Sequence, residues 1–225
     1  MASTGMSQHE THLDALGRLM RGWPGEALDP RGIVRIVNRG GSKPPIFWVF
    51  NARHEPENFA RELGQDQPLI YARSLHLVMP PDQDRAAANL PLARYYAQVL
   101  TPNLTGLHLF LGANCQGARL MLELTRILRG NGGRVSGVCV ISALPDIEVG
   151  VPALLIYGSR DPQHDPFFFD AVSAQKQASR CFATVRRIVI DAGHGQYAVE
   201  GTVETVVARV QEFSVSLNSR PVFSA

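Results

Sequence analysis

Several features that would assign the chain to a membrane or an export route are missing from its sequence. No apolar run reaches the roughly 18 residues that a membrane span needs. The first residues lack the charged and then apolar pattern of a signal peptide. We therefore expect a cytoplasmic protein that makes no use of a membrane.

An excess of charge of one sign is also missing. The 225 residues include 22 basic and 20 acidic ones, for a net charge of +2. This balance gives no electrostatic reason to expect nucleic acid as a partner. The length suits one globular core. We expect a leader or linker, which need not be fully ordered, over residues 1–30 and one α/β domain over residues 31–225.

Cysteine is scarce, and its spacing excludes two further classes. Three cysteines without a CxxC or CxxH motif argue against a disulfide framework and against a structural zinc site. Cys139 lies in an apolar run, which predicts an inert core thiol. Cys181 follows a polar stretch with no catalytic context. Only Cys115 has neighbours that suggest chemistry, and neither a metal nor a bound cofactor is indicated.

Short apolar runs alternate with helical patterns from residue 33 onward, which predicts a mostly parallel sheet with helices on both faces. Some runs are apolar almost throughout, as in strands that are covered on both faces. The predicted strands are residues 33–37, 45–50, 68–74, 107–111, 135–141, 153–157 and 184–190. The predicted helices are residues 57–63, 91–100, 116–129, 166–179 and 202–213.

The segment around Cys115 resembles a nucleophile elbow. The strand at 107–111 leads into Gly-Ala-Asn-Cys115-Gln-Gly, and a helical pattern follows at once. A nucleophile on such a turn projects clear of the sheet. The amides at the helix N-terminus favour a thiolate and a developing oxyanion. Ala113 and Gly117 keep the turn small, although the usual G-x-S-x-G pattern has Gly in the position of Ala113 and Ser in that of Cys115.

An acid and a histidine follow in the order that the elbow requires. Asp161 comes just after the strand at 153–157, and His194 comes just after the strand at 184–190. Ligands bind at the carboxyl edge of open α/β sheets, where all three side chains are expected. The pattern predicts Cys115 as nucleophile, His194 as base and Asp161 as the acid that orients the base. Asp146, after the preceding strand, is the alternative acid.

The chain resembles the thioesterase domains of nonribosomal peptide and polyketide synthetases, which have the α/β-hydrolase fold. The residues that carry the resemblance are 43–52, 59–71, 95–97, and 111–117 with 122–128. The resemblance implies that the backbone amides of Ala52 and Gln116 bind the oxyanion.

Two departures from the family pattern affect the site. The family has glycines after the oxyanion residue, whereas this chain has Arg-His-Glu at 53–55. The family also carries a large helical lid, but only residues 143–150 separate two consecutive strands here. We therefore expect the α/β-hydrolase fold with a minimal lid or none. The site should be open on top unless residues 75–90 or the N-terminal leader cover it.

The predicted function is transfer of an acyl or aminoacyl group in natural-product biosynthesis. Cys115 would take the group from the phosphopantetheine thioester of an acyl or peptidyl carrier protein. Water, an amine or a hydroxyl would then accept it from the small acyl or peptidyl intermediate. Four arginines are candidates to meet an acidic carrier: Arg53, Arg73, Arg85 and Arg94. The alternatives are a small Cys-Asp-His hydrolase of the dienelactone hydrolase type and an inactive carrier-binding module.

Overall fold

The structure, a computed structural model, describes residues 8–79, 85–104 and 106–218. Its centre is a sheet of eight strands. These are β1 (Glu26–Ala27), β2 (Val34–Val37), β3 (Ile46–Phe50), β4 (Leu69–Arg73), β5 (His108–Asn114), β6 (Arg134–Ile141), β7 (Ala153–Gly158) and β8 (Val185–Ile190). Their order across the sheet is β1-β2-β4-β3-β5-β6-β7-β8.

The sheet is parallel from β4 to β8, and only β1 and β2 run antiparallel to their neighbours. The predicted mostly parallel sheet is confirmed, and each of the seven predicted strands corresponds to one observed strand. The largest difference at a strand end is in β5, which continues to Asn114 instead of stopping at residue 111. Strand pairing with β6 as far as Ile141 holds these extra residues in the sheet.

Seven α-helices lie in the described ranges. They are α1 (Gln8–Leu19), α2 (His54–Leu63), α3 (Arg85–Asn103), α4 (Gly117–Gly130), α5 (Pro166–Phe169), α6 (Ala171–Cys181) and α7 (Val203–Asn218). The single helix predicted over 166–179 is two helices. Asp170 interrupts it with an extended backbone, and its side chain accepts a hydrogen bond from Ser173 N, which starts α6 as an N-cap.

The helices cover the sheet in two groups. Helix α3 packs against α4 and α1, while α2 packs against α7. The central strands are buried along their whole length, as β3 and β7 show. Removal of both faces of these strands from water is the main stabilising contribution of such a core. The prediction of helices on both faces of the sheet is therefore confirmed.

The N-terminal segment differs from the leader that the sequence predicted. Residues 8–30 form α1 and β1, and the side chains of Leu13, Leu16, Met20 and Trp23 are at most 4% exposed. Asp29 fixes the following turn, because its side chain accepts hydrogen bonds from the backbone of residues 31, 33 and 34. The apolar side chains of α1 therefore form the buried face of a packed helix. Residues 1–7 lie outside the described residues.

The connection between β6 and β7 contains no helix, as predicted from its length. Its apolar residues Ile147, Val149 and Val151 are buried, so the connection lies against the body of the domain. No lid rises from it. Across the described ranges, none of the helices combines the length and the apolar character that crossing a bilayer requires.

Candidate active site

Cys115 lies on a sharp turn between β5 and α4. Its φ angle is +44°, a left-handed conformation that side chains rarely adopt. The backbone N–H of Cys115 donates to the carbonyl of Ile141 at 2.8 Å, which fixes the turn against the end of β6. The side chain is half-buried, whereas Cys139 and Cys181 are fully buried. The turn thus presents one thiol at the carboxyl edge of the sheet.

Two glycines make this turn possible. A Cβ atom on Gly112 would lie 2.1 Å from the ring of Trp48, and one on Gly117 would lie 2.9 Å from Val49 Cγ1. Both contacts are with β3, the strand beside β5. Glycine is therefore required here because the elbow and the start of α4 approach β3 so closely.

His194 and Asp161 face the thiol from the ends of β8 and β7. His194 Nε2 lies 3.9 Å from Cys115 Sγ, and His194 Nδ1 lies 3.0 Å from Asp161 Oδ2. Gly158 permits this approach, because a Cβ there would lie 2.2 Å from the carbonyl oxygen of Ala192. The structure thus brings together the three side chains that the sequence selected.

A fourth side chain, His164, which the sequence did not single out, joins this group. His164 Nδ1 lies 2.6 Å from Asp161 Oδ1, and its ring stacks on that of His194 with centroids 4.0 Å apart. The spacing of Asp161 and His164, three residues apart, could have indicated this contact. Asp161-Pro-Gln-His164 forms a 3₁₀ turn, in which residues three apart lie on the same side.

Asp161 is held as a carboxylate. Its side chain is 1% exposed, and this burial disfavours the charged form. Hydrogen bonds from His164 and His194 outweigh the burial and hold the pKa of Asp161 below its ordinary value. Ser142 also donates to Oδ2, at 3.3 Å. A charged acceptor therefore fixes Nδ1 of His194 as a donor and leaves Nε2 to accept a proton from the thiol.

The thiol itself differs from the sequence prediction. Burial raises the pKa of Cys115 above its ordinary value, and the charges of Asp161 and Glu55 act in the same direction. The backbone N–H of Gln116 opposes this effect without reversing it. Partial desolvation therefore opposes the thiolate that the helix N-terminus was expected to favour. A thiol with a raised pKa depends on a base for its deprotonation.

The loop after β3 is tied to the elbow by polar contacts. Asn51 Nδ2 donates to the carbonyl of Asn114 at 3.3 Å. The buried carboxyl group of Glu55 accepts from Asn51 N at 2.7 Å and from Asn114 Nδ2 at 3.5 Å. Ala52, one predicted oxyanion residue, follows Asn51 in this loop. Glu55 thus gives the bulky Arg-His-Glu segment a specific role, which is to anchor the loop beside the nucleophile.

Gln116, the other predicted oxyanion residue, occupies the N-cap position of α4. Its side-chain oxygen lies 2.6 Å from Arg85 Nη1 and 3.1 Å from His76 Nδ1. These contacts connect the start of α4 to the segment after β4. They hold the side chain to one side, while the backbone N–H of Gln116 faces the sulfur of Cys115.

The alternative acid and the candidate carrier contacts have other surroundings. Asp146 pairs with Arg180 on the surface, whereas His194 contacts Asp161. Arg73 is 4% exposed, lies over the ring of Trp23 and donates to the carbonyl of His76. Arg73 therefore cannot meet a partner, whereas Arg53 and Arg94 are exposed.

One group of side chains in the described ranges has the spacing of a metal site. Donor atoms of Asp161, His164 and His194 all lie within 4.8 Å of one another. Their hydrogen bonds already account for this proximity, since each imidazole donates to its own carboxylate oxygen.

Structural comparison identifies the fold. The thioesterase domain of NocB, in covalent complex with a fluorophosphonate nocardicin G analogue, superimposes with a TM-score of 0.63 at 13% identity, covering 81% of this chain and 99% of that one. The surfactin-cyclising domain SrfTE gives 0.60 at 13% identity, covering 84% and 96%. The type II thioesterase YbtT gives 0.55 at 16% identity, covering 88% and 98%. The chain therefore has the α/β-hydrolase fold of these thioesterases.

Sequence comparison adds nothing to this result. No protein-family model matches the chain, and no curated protein matches it either. The likeness is thus one of fold, and the chemistry must be argued from the site.

Proposed function

We propose that this protein is a thioesterase or acyltransferase of natural-product biosynthesis with Cys115 as nucleophile, His194 as base and Asp161 as the orienting acid. It takes an acyl or aminoacyl group from the phosphopantetheine thioester of a carrier protein and passes it to water, an amine or a hydroxyl. The observation that carries the proposal is the chain of contacts from Cys115 Sγ through His194 to Asp161. These contacts place a nucleophile, a base and an acid in the order that nucleophilic catalysis requires.

The first half-reaction loads the enzyme. Because burial raises the pKa of the thiol, His194 Nε2 takes its proton as the sulfur attacks the thioester carbonyl. The negative charge on the carbonyl oxygen is stabilised by the backbone amides of Ala52 and Gln116. The bond to the pantetheine sulfur then breaks, and the proton passes from His194 to that leaving thiolate.

The second half-reaction releases the acyl group. His194 takes a proton from the acceptor, whose oxygen or nitrogen attacks the carbonyl carbon of acyl-Cys115. The carbon–sulfur bond breaks, and the thiolate of Cys115 takes back the proton. Exchange between two thioesters is nearly balanced in energy. Acyl-Cys115 therefore remains an activated donor, which suits transfer to an amine better than a serine ester would.

Carrier proteins are acidic as a class, and exposed cations beside the loop after β3 would suit them. Arg53 lies in that loop, directly after Ala52, and its side chain is exposed. The structural neighbours include a four-domain nonribosomal peptide synthetase, AB3403, whose matched part is 20% of its chain. These points support a carrier protein as partner.

Intact-mass measurement tests the proposal. The protein is mixed with carrier proteins that bear acyl-phosphopantetheine, and we expect an increase equal to the acyl group. Cys115→Ala should abolish the adduct, whereas Cys181→Ala should retain it. An adduct that persists in Cys115→Ala would contradict the proposed nucleophile, and no adduct from any acyl carrier would contradict the proposed substrate.

The absence of a lid helix between β6 and β7 favours a second candidate, a small Cys-Asp-His hydrolase of the dienelactone hydrolase type. No helix lies between β6 and β7 to enclose a long acyl chain. Hydrolysis of small lactones by the wild type, without acylation by carrier thioesters, would favour this candidate. Binding of carriers without turnover of either substrate would leave a carrier-binding module.

A further inference from the structure

Asp161 is shared by two imidazoles. His194 Nδ1 contacts Oδ2 at 3.0 Å, and His164 Nδ1 contacts Oδ1 at 2.6 Å. The carboxylate is 1% exposed, whereas the side chains of His164 and His194 are 36% and 43% exposed. One oxygen of the buried acid thus contacts the proposed base. The other contacts a histidine to which the proposed mechanism gives no role.

The shared acid fixes the tautomers of both rings. A carboxylate oxygen only accepts hydrogen bonds, so each Nδ1 that faces Asp161 carries a proton. His194 must therefore keep Nε2 free, in the form that accepts the proton of Cys115. With His164 on Oδ1, the carboxylate cannot rotate to offer that oxygen to another donor, and Oδ2 stays directed at His194.

The two rings also support each other mechanically. Their centroids are 4.0 Å apart and their planes differ by 22°. The side chain of His194 is 43% exposed, and His164 covers one face of its ring. His164 cannot drift from this position, because the 3₁₀ turn binds its backbone N–H to the carbonyl of Asp161 at 3.2 Å.

We infer that His164 is a positioning residue, which holds the acid and the base of the proposed triad in register by a hydrogen bond to Asp161 and by stacking on His194. It takes the place of the enclosure that a lid would give. The inference rests on the proposed function for its kinetic consequence, but its structural consequence for His194 does not.

Three substitutions separate the hydrogen bond from the stacking. His164→Ala removes both, His164→Phe keeps an aromatic ring without a donor, and His164→Gln keeps a donor without the ring. Misplacement of reacting groups by about 1 Å can cost on the order of a hundredfold in rate. We expect His164→Ala to lower the acylation rate of Cys115 by about tenfold to a hundredfold with little change in KM, and His164→Gln to restore part of it. His108→Ala, at the exposed start of β5, is the matched control and should be unchanged.

Nitrogen NMR of the His194 ring provides a readout that simple loss of packing would not produce. We expect one neutral tautomer, with the proton on Nδ1, in the wild type and in His164→Gln. A mixture of tautomers is expected in His164→Ala. If all three variants keep the wild-type tautomer and acylation rate, the inference is wrong. If the wild type is never acylated, the proposed function fails, and the tautomer measurement still decides the role of His164.

Discussion

The two sides of the candidate site are organised differently. On the acid side, short hydrogen bonds fix Asp161, His164 and His194 in the resting protein. On the nucleophile side, burial raises the pKa of Cys115, and its sulfur lies 3.9 Å from His194 Nε2. The orientation of the proposed base is therefore fixed before substrate binds. The contact between His194 and Cys115 must tighten during the reaction, as catalytic hydrogen bonds often do.

Charge follows the same division. The buried carboxylate of Asp161 has two imidazole partners, so its negative charge is well satisfied. Glu55 sits beneath the nucleophile side and accepts from Asn51 N and Asn114 Nδ2, while Asn114 Oδ1 is buried without a hydrogen-bond partner. After burial, the charge of Glu55 is one of the causes that raise the pKa of Cys115. Substitutions on the nucleophile side should therefore affect rate through charge as well as geometry.

Removal of the thiol is expected to have the largest effect. Cys115→Ala should abolish the acyl adduct and all turnover, because no other exposed thiol exists among the described residues to replace it. Cys115→Ser should retain a small activity, shifted toward hydrolysis. Intact mass and thioester turnover measure both effects, and circular dichroism should show an unchanged fold. Wild-type turnover in Cys115→Ala would place the chemistry elsewhere.

Neutralisation of the acid is expected to have the next largest effect. Loss of tautomer control in a Ser-His-Asp enzyme costs roughly 10⁴ in turnover, and a thiol nucleophile needs less help. Asp161→Asn should therefore slow acylation at least about a hundredfold. Asp146→Asn is the matched control, since Asp146 pairs with Arg180 at the surface, and it should stay within a few fold of the wild type. The reverse order would assign the acid to Asp146.

Glu55 should matter less, because it acts through the loop. Glu55→Ala leaves Asn51 N and Asn114 Nδ2 without their acceptor, which costs about 1–3 kcal/mol for a buried donor. We expect a lower Tm and an acylation rate reduced by about tenfold through displacement of the Ala52 amide.

Two further variants define the origin of that loss. Glu55→Gln keeps an acceptor for Asn51 N and should recover most of the stability. Glu57→Ala, on an exposed position of the same helix, should change neither Tm nor rate. If Glu55→Ala matches the wild type in both measurements, the network does not hold the loop.

The sequence predicted the sheet and the three facing side chains because strands buried on both faces are apolar throughout, and because their carboxyl ends meet at one edge. It could not predict α1 as part of the core. The amphipathic pattern of α1 is weak, and only the contacts of Leu13 and Leu16 with distant residues bury it. It also missed His164 and Glu55. His164 is only three residues from Asp161, but its stacking on His194 depends on the fold. Glu55 lies in the first turn of α2, and only the fold brings its partner Asn114 near.

The smallest expected effect concerns the pH dependence of thiol reactivity. It tests whether the nucleophile side of the site differs from the acid side in the resting protein. Since burial raises the pKa of Cys115, the thiolate fraction at pH 7 should lie below the few per cent of an ordinary thiol. Cys115 should still be the first of the three cysteines to react with iodoacetamide, because Cys139 and Cys181 are fully buried. Its alkylation rate should keep rising with pH beyond pH 9, since deprotonation is incomplete there. A rate that levels off below pH 8 would mean that His194 already holds the proton of the thiol at rest. The nucleophile side would then be preset as fully as the acid side, and the first proton transfer would precede substrate binding.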